Sequence, residues 1–253
     1  MTRAKPLHEM APPGLDLECV GGLLDGIRKE TDLTKRIERI SAGFLGKPYS
    51  DTTLIGGPRS QEILTIRLDA FDCVTYIETV LALSMSESVK EFIDLVTALR
   101  YHRGGVEWRR RNHYMIDWTR NNQSLRVVKN ITAGRPTIER RRTLAAIPEL
   151  PRRDVVLRCF PKRRLPSVAP YCETGDIILF VSTRKWLDVF HVGMLVRDGN
   201  QITMRHATRT AGSVIEQPLT DFMKQNRMSG FIVLRPIDVQ TGRRSNRAIQ
   251  DKG

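Results

Sequence analysis

The sequence predicts an α+β protein, with helices in the first half of the chain and strands in the last third. Apolar residues recur with helical spacing in several segments before residue 100. Short apolar runs separated by turn residues follow residue 175. The chain has 253 residues, 40% of them apolar and 27% charged, which is typical of a folded protein with a sizeable core.

The regions on either side of the Asp72 segment are predicted to form an N-terminal extension, amphipathic helices and a strand. Residues 1–32 carry scattered proline and glycine with weak periodicity, so we expect an N-terminal extension that is mobile or loosely docked. The apolar spacing over residues 33–44 predicts an amphipathic helix capped by Thr31 or Asp32. Alternation over residues 63–68 predicts a strand, and the apolar spacing over residues 89–99 predicts another amphipathic helix that ends near Arg100.

The segment that begins at Asp72 predicts a helix whose first turn carries a cysteine. Apolar residues follow with the spacing of one helix face, at Val74, Ile77, Val80 and Leu81. Asp72 is a suitable N-cap, which places the Cys73 sulfur at the positive end of the helix. That end favours the thiolate, which is the nucleophilic form. The alternative interpretation is a small buried residue that starts an ordinary core helix.

The middle of the chain, residues 91–172, is predicted to be a helical and basic insert that lines a groove. Aromatic, histidine and amide side chains crowd together over residues 101–122 without a regular period. This composition is typical of a groove that orients a polar ligand, and equally of an irregular surface anchored by two tryptophans. Three arginine-rich clusters follow, and we expect them to form solvated faces.

The last third of the chain predicts four strands. They cover residues 177–181, 191–196, 202–207 and 231–234. Asp198-Gly199 separates the second strand from the third and is a strong signal for a two-residue hairpin turn. We expect residues 33–237 to form the domain and residues 238–253 to form a polar tail.

Counting outward from this turn places two histidines opposite each other. If Arg197 pairs with Asn200, His191 faces His206 on one side of the sheet, with Cβ atoms about 4.5–5.5 Å apart. One imidazole can then act as a base while its neighbour orients it. A β-bulge would shift this count by one residue.

Together with Cys73, the two histidines predict a site for nucleophilic catalysis by a thiol. Cys73 would attack an acyl carbon, His191 would carry the proton, and His206 would hold the tautomer. Backbone amides at the helix start would stabilise the oxyanion. The histidines could instead bind a metal, but no third ligand is near in the sequence pattern, so we predict no metal and no other cofactor.

Composition narrows the range of partners and compartments. The formal charge of +13 favours polyanions, and without interleaved aromatic residues nucleic acid is the least favoured of them. None of the four cysteines forms a Cys-x-x-Cys pair, and Cys159 and Cys172 could be bridged only in an oxidising compartment. No apolar run approaches the length of a membrane span, and the N-terminus lacks the order of a secretory signal.

Four short motifs stand in order along the chain: Gly46-Lys-Pro-Tyr49, Asp72-Cys73, His191-Val-Gly193 and His206-Ala-Thr208. This order resembles the NlpC-type papain-like cysteine peptidases of bacterial cell walls. A finer set consists of Asp72-Cys-Val-Thr-Tyr-Ile-Glu78, Arg111-Asn-His-Tyr114 with Asp117-Trp118, Gly175-Asp176, and Leu187-Asp188 to Gly193. It resembles one branch, the N-acetylmuramoyl-L-alanine amidase-like family, over roughly residues 35–237.

The resemblance implies a papain-like (NlpC-type) α+β fold, in which a central antiparallel sheet packs against the helix that begins at the catalytic cysteine. It implies that Cys73, His191 and His206 carry the catalytic roles. It also implies that a further set of residues binds or positions substrate, namely Tyr49, Asp72, His113, Tyr114, Asp117, Trp118 and Asp188.

The predicted function is a monomeric, cysteine-dependent amidohydrolase that cleaves peptidoglycan or muropeptides, first of all at the N-acetylmuramoyl-L-alanine bond. A stem-peptide endopeptidase is one alternative. The others are a delivered thiol hydrolase that acts on an intracellular protein or lipid, and a non-catalytic module that binds anionic polymers. A wall substrate implies periplasmic or secreted action, whereas the delivered hydrolase would act in a cytoplasm.

Overall fold

The computed structural model describes residues 11–238, which divide into two compact units. The first unit comprises the residues up to Asn112 together with Arg205–Glu216. The second comprises His113–Met204 and the residues from Gln217 onward. The predicted polar tail, apart from its first residue, lies outside the described residues.

The first unit is mainly helical. Its helices are α1 (Leu17–Ile27), α2 (Leu33–Gly43), α3 (Cys73–Met85) and α4 (Val89–Arg100). The other three helices pack against α3, and eleven of the thirteen α3 residues are buried. As predicted, α2 and α4 are amphipathic helices, and Asp32 caps α2. The expectation of a mobile or loosely docked extension is wrong for α1, which buries Val20, Leu24 and Ile27.

A short hairpin replaces the strand predicted over residues 63–68. It consists of β1 (Ile55–Gly57) and β2 (Ser60–Ile63), and two 3-10 turns, His102–Gly104 and Trp108–Arg110, follow α4. Beyond β2 the backbone is drawn away from strand pairing, because the Thr65 carbonyl accepts a hydrogen bond from the Arg100 guanidinium. Arg100 is itself buried and ion-paired with Glu78, 2.8 Å away.

The remaining strands form an antiparallel sheet and a separate hairpin. They are β3 (Val128–Asn130), β4 (Ile138–Leu144), β5 (Arg153–Cys159), β6 (Ile177–Val181), β7 (Val189–Asp198), β8 (Gln201–Thr208), β9 (Ser213–Pro218) and β10 (Gly230–Pro236). The sheet has six strands in the order β3-β10-β6-β7-β8-β9, while β4 and β5 pair only with each other. The predicted α+β class with a central antiparallel sheet is confirmed.

Three helices complete the second unit: α5 (Met115–Ser124), α6 (Leu165–Val168) and α7 (Leu219–Gln225). Two 3-10 turns flank α6, at Lys162–Arg164 and Ala169–Tyr171. α7 covers one face of the sheet, where the rings of Phe222 and Phe180 lie 4.5 Å apart. These aromatic side chains anchor the apolar core of the unit.

The hairpin of β4 and β5 adds two strands to the segment predicted as a helical insert, and one of the arginines predicted to be solvated is buried there. Arg142 of β4 is only 3% exposed. It donates hydrogen bonds to the Ser182 carbonyl and to Ser229 Oγ, the latter at 2.8 Å. Burial lowers the pKa of Arg142, and these bonds fasten the hairpin to residues that adjoin β6 and β10. One member of this arginine run is therefore buried, and its terminal guanidinium nitrogens donate to oxygens of neighbouring residues.

Candidate active site

Cys73 is the first residue of α3, as predicted. Asp72 Oδ1 accepts hydrogen bonds from the backbone N–H groups of Val74 and Thr75, each at 2.8 Å. The Thr75 hydroxyl accepts one in return from the Asp72 N–H at 3.0 Å, which completes a capping box. Thr53 donates to the other Asp72 oxygen at 2.8 Å. The carboxylate of Asp72 thus holds the start of α3, and Cys73 lies half-buried at that start.

Tyr49 lies on a segment hydrogen-bonded to the residue that precedes Asp72. The Phe71 N–H donates to the Pro48 carbonyl at 3.0 Å, and the Ser50 N–H donates to the Phe71 carbonyl at 2.9 Å. The Tyr49 ring is half-buried, and the Arg209 guanidinium lies 5.9 Å from its centroid. An aromatic ring and a cation therefore lie close to the start of α3.

Sequence reasoning missed Thr53, Asp51 and Arg209. Arg209 forms an ion pair with Asp51, 158 residues away along the chain. Thr53 reaches Asp72 over 19 residues. No spacing rule links such distant positions, so nothing in the sequence could have indicated these contacts.

His206 lies in the half of β8 that belongs to the first unit, and it is 1% exposed. Burial lowers its pKa to about 4, so the imidazole is neutral at physiological pH. Its neighbour Arg205 donates to Glu216 at 2.6 Å and to the Glu38 carbonyl at 2.8 Å. Because Glu38 lies in α2, these bonds fix the strand beside His206.

His191 lies in β7 of the second unit and is half-buried. Its ring stacks on Phe222 at 5.3 Å and on Phe180 at 6.5 Å between centroids. The pairing of β6 with β7 slips beside it, because Phe180 pairs with His191 but Val181 pairs with Val189. Phe190 is the extra residue of this β-bulge. Bulges re-aim neighbouring side chains and are frequent next to active sites.

The hairpin turn after β7 differs by one residue from the prediction. β7 ends at Asp198 and β8 begins at Gln201, so Gly199 and Asn200 form the turn. Gly199 has a φ of 55°, a left-handed conformation that glycine adopts without strain. The count that set His191 opposite His206 therefore started from the wrong pair, and the opposition stays a prediction.

Asp188 caps α5, although it lies 72 residues away along the chain. Its carboxylate accepts hydrogen bonds from the Ile116 N–H at 2.8 Å and from the Val189 N–H at 2.7 Å. Only 1% of the residue is exposed. Burial raises the pKa of Asp188 to about 6, against the lowering effect of these hydrogen bonds. The position is that of a structural cap, and its predicted contact with substrate stays a prediction.

The other predicted groove residues of the second unit lie at the start of α5. Tyr114 and Trp118 are 3% and 1% exposed, and the Ile147 N–H donates to the Tyr114 hydroxyl at 3.2 Å. Asp117 forms an ion pair with Arg153, and both Asp117 and His113 are half-buried. The aromatic side chains of this stretch thus anchor a helix, as the alternative interpretation of the segment expects for its tryptophans.

The described residues, 11–238, can be searched for metal-binding clusters, membrane-spanning helices and disulfides. Within them, no group of three or more His, Cys, Asp or Glu could hold a metal ion. No helix among them is long and apolar enough to cross a membrane. Cys159 and Cys172 are both unbridged and buried, and burial raises the pKa of each thiol.

Known proteins resemble this chain over most of its length. A family model described as N-acetylmuramoyl-L-alanine amidase-like matches residues 39–231. An N-acetylmuramoyl-L-alanine amidase from Bacteroides uniformis ATCC 8492 is 26% identical, with a TM-score of 0.72 over 81% of this chain and 98% of its own. A protein from Legionella pneumophila str. Philadelphia 1 shares the fold at 21% identity, with a TM-score of 0.76 over 87% and 94%. No curated protein is similar enough to match.

Proposed function

The chain belongs to the N-acetylmuramoyl-L-alanine amidase-like family, and from that premise we propose that it is a cysteine-dependent peptidoglycan amidase. The bond cleaved is the amide between N-acetylmuramic acid and L-alanine, which is the bond named by the family and by the Bacteroides uniformis enzyme. The hydrolase domain spans residues 33–237 and acts as a monomer in the periplasm or outside the cell. The observation that carries the proposal is the position of Cys73 at the capped start of α3.

The environment of α3 supports Cys73 as the nucleophile. A helix N-terminus carries about half a positive charge, which favours the thiolate. Water screens that charge where a helix start is fully exposed, whereas Cys73 and Val74 at the start of α3 are half-buried and the rest of the helix is buried. The capping box and Thr53 keep the first turn of α3 in one geometry. A nucleophile held in this way loses little entropy when substrate binds.

The two histidines divide the proton chemistry in this proposal. The Cys73 thiolate bonds to the lactyl carbonyl carbon, and the positive end of α3 stabilises the oxyanion. His191 gives its proton to the departing amine of L-alanine as the carbon–nitrogen bond breaks. Water then loses a proton to His191 and attacks the thioester, which frees the sulfur and the muramic carboxylate. Neutral His206 orients His191 without competing for its proton.

The proposed substrate contacts fall into two groups. Tyr49, with Arg209 and Asp51 beside it, lies close to the start of α3 and is proposed to contact substrate there. Half-buried His113 and Asp117 are proposed as further substrate contacts. The second group acts through position, because its side chains are buried or engaged in capping. Its members are Asp72, Tyr114, Trp118 and Asp188.

Digestion of purified sacculi tests this proposal. The wild-type chain should release stem peptides free of sugar, whereas an endopeptidase would leave L-alanine attached to muramic acid, and mass spectrometry separates the two products. Cys73→Ala should reduce the release at least about a thousandfold. Cys19→Ala, which alters the other cysteine at a helix start, should leave it unchanged. Full release by a folded Cys73→Ala protein would contradict the proposal.

A further inference from the structure

The second unit contains a cavity of about 430 Å³ that none of the proposed catalytic residues lines. It lies between α5, the hairpin of β4 and β5, and strands β6, β7 and β10. Leu179 lines it, whereas the next residue, Phe180, contacts His191. Because successive strand residues point to opposite faces, the cavity lies on the face of the sheet away from His191. It is therefore separate from the proposed chemistry of His191.

The cavity is an open pocket with both apolar and polar walls. Seven of the thirteen residues that line it are apolar, namely Met115, Ile116, Val156, Leu157, Leu179, Val189 and Ile232, and the other six are polar or charged. Small-molecule sites are typically about 300–1,000 Å³, with apolar walls and a few polar groups that orient the ligand. The volume lies in that range, and the apolar part of the lining suits an aliphatic chain.

One cation at the rim of the cavity is left without a partner. Glu139 and Arg158 both line the cavity, but they form an ion pair with each other at 3.2 Å. Arg120 is exposed, and its guanidinium has no hydrogen-bond or ion-pair partner among residues 11–238. It lies on α5 one turn beyond Ile116, and the Gln123 amide follows at the rim. Helical residues three or four apart share one face, so these groups stand over the same opening.

We propose that this cavity binds a free medium-chain fatty acid. The aliphatic chain lies against the apolar walls, and the carboxylate meets Arg120 at the rim, where a planar guanidinium can hold both oxygens. The positive charge of Arg120 selects an anionic head group, because Glu139 is already paired with Arg158. A single unpaired cation and a volume for one short chain fit a fatty acid better than a two-chain phospholipid. The site is independent of the proposed amidase reaction.

Binding of decanoate to the full chain tests this proposal, with decyltrimethylammonium as the cation of equal chain length. Calorimetry should show one site for decanoate and none for the cation. Arg120→Ala should weaken decanoate binding about three- to tenfold, the range for one charge-assisted contact near the surface. Arg163→Ala removes another exposed arginine of the same unit that does not line the cavity, and it should leave the affinity unchanged.

A second variant tests the cavity itself. Val156 lies on its wall and is 43% exposed, so Val156→Trp places an indole over the opening without altering the buried core. This variant should lose decanoate binding while its thermal unfolding stays cooperative. Three results would overturn the proposal: no saturable decanoate binding, equal binding of the cation, or wild-type affinity in folded Val156→Trp.

Discussion

Two cysteines of the first unit lie at the start of a helix that an aspartate caps, yet only one is proposed to be a nucleophile. Cys19 is the third residue of α1, and its N–H donates to Asp16 at 2.8 Å. Cys73 is the first residue of α3, beyond Asp72. Cys19 is exposed and Cys73 is half-buried. A capped helix start is therefore common to both and cannot by itself make a site.

The difference lies in what surrounds each helix. α1 buries three of its eleven residues, whereas α3 buries eleven of thirteen. The positive end of α1 is open to water, which screens it, and the positive end of α3 belongs to a helix enclosed by three others. Asp72 also accepts three hydrogen bonds where Asp16 accepts one. The surroundings of the helix make the start of α3 a candidate site.

After the loss expected for Cys73→Ala, the next largest effect is expected for the substitution of His206. His206→Ala should lower kcat/KM on muropeptides about a hundredfold, because His191 loses the group that orients it. His206→Asn keeps a neutral hydrogen-bonding side chain and should recover most of the activity. Burial already lowers the pKa of His206 to about 4, so both variants should keep the wild-type acid limb above pH 5.

The pH profile of kcat/KM separates this role from a structural one. A loss of activity in His206→Asn as large as that in His206→Ala, with unchanged thermal unfolding, would contradict an orienting role. A shift of the acid limb in either variant would show that His206 itself titrates in the working range.

The caps should differ in what they contribute to stability. Asp72→Ala removes three hydrogen bonds at a buried helix and should lower the free energy of unfolding by about 2 kcal/mol. Asp16→Ala removes one at an exposed helix and should cost about 0.5–1 kcal/mol. Urea denaturation measures both losses. Equal losses would contradict the claim that the Asp72 cap contributes more stability than the Asp16 cap.

The start of α5 extends the comparison of helix caps, because its cap, Asp188, is distant in the sequence. At neutral pH, Asp188→Asn should change the free energy of unfolding by no more than about 1 kcal/mol, since it exchanges one hydrogen bond for the removal of a buried charge. Its clearer effect is on pH dependence. The pKa of Asp188 is raised to about 6 by burial, so the native state binds the proton more tightly than the unfolded state.

The raised pKa of Asp188 determines how stability changes with pH. The stability that Asp188 contributes is fully present below the unfolded pKa and is lost as the pH rises through about 6. Urea denaturation between pH 4 and 7 should show this loss in the wild-type chain and a smaller loss in Asp188→Asn. Identical pH dependence in the two proteins would show that another group is responsible.

The elements predicted from sequence are those whose signals are local. Apolar spacing predicted α2, α3 and α4, with an adjacent cap for the first two, and apolar runs with turn residues predicted β6, β7, β8 and β10. α5 was missed because Asp188, 72 residues away, caps it. The hairpin of β4 and β5 was missed because Arg142 is buried through Ser182 and Ser229, which a charge count cannot show.

The residues of the candidate site also divide into those with local sequence signals and those that meet only through the fold. Cys73 and its cap are neighbours in the chain, so their arrangement could be predicted from the sequence alone. Arg209 and Asp51 meet only through the fold, and no pattern indicated them. The hairpin count failed by one residue because Gly199 is the first residue of the turn and not the second.

Alkylation of the two cysteines by iodoacetamide as a function of pH tests the central claim most directly. Mass spectrometry of the digested chain follows Cys73 and Cys19 in the same molecule, so each sample carries its own reference. Cys73 should reach half of its maximal rate at a lower pH than Cys19. Superimposable pH profiles for the two sulfurs would contradict an activated thiol at the start of α3.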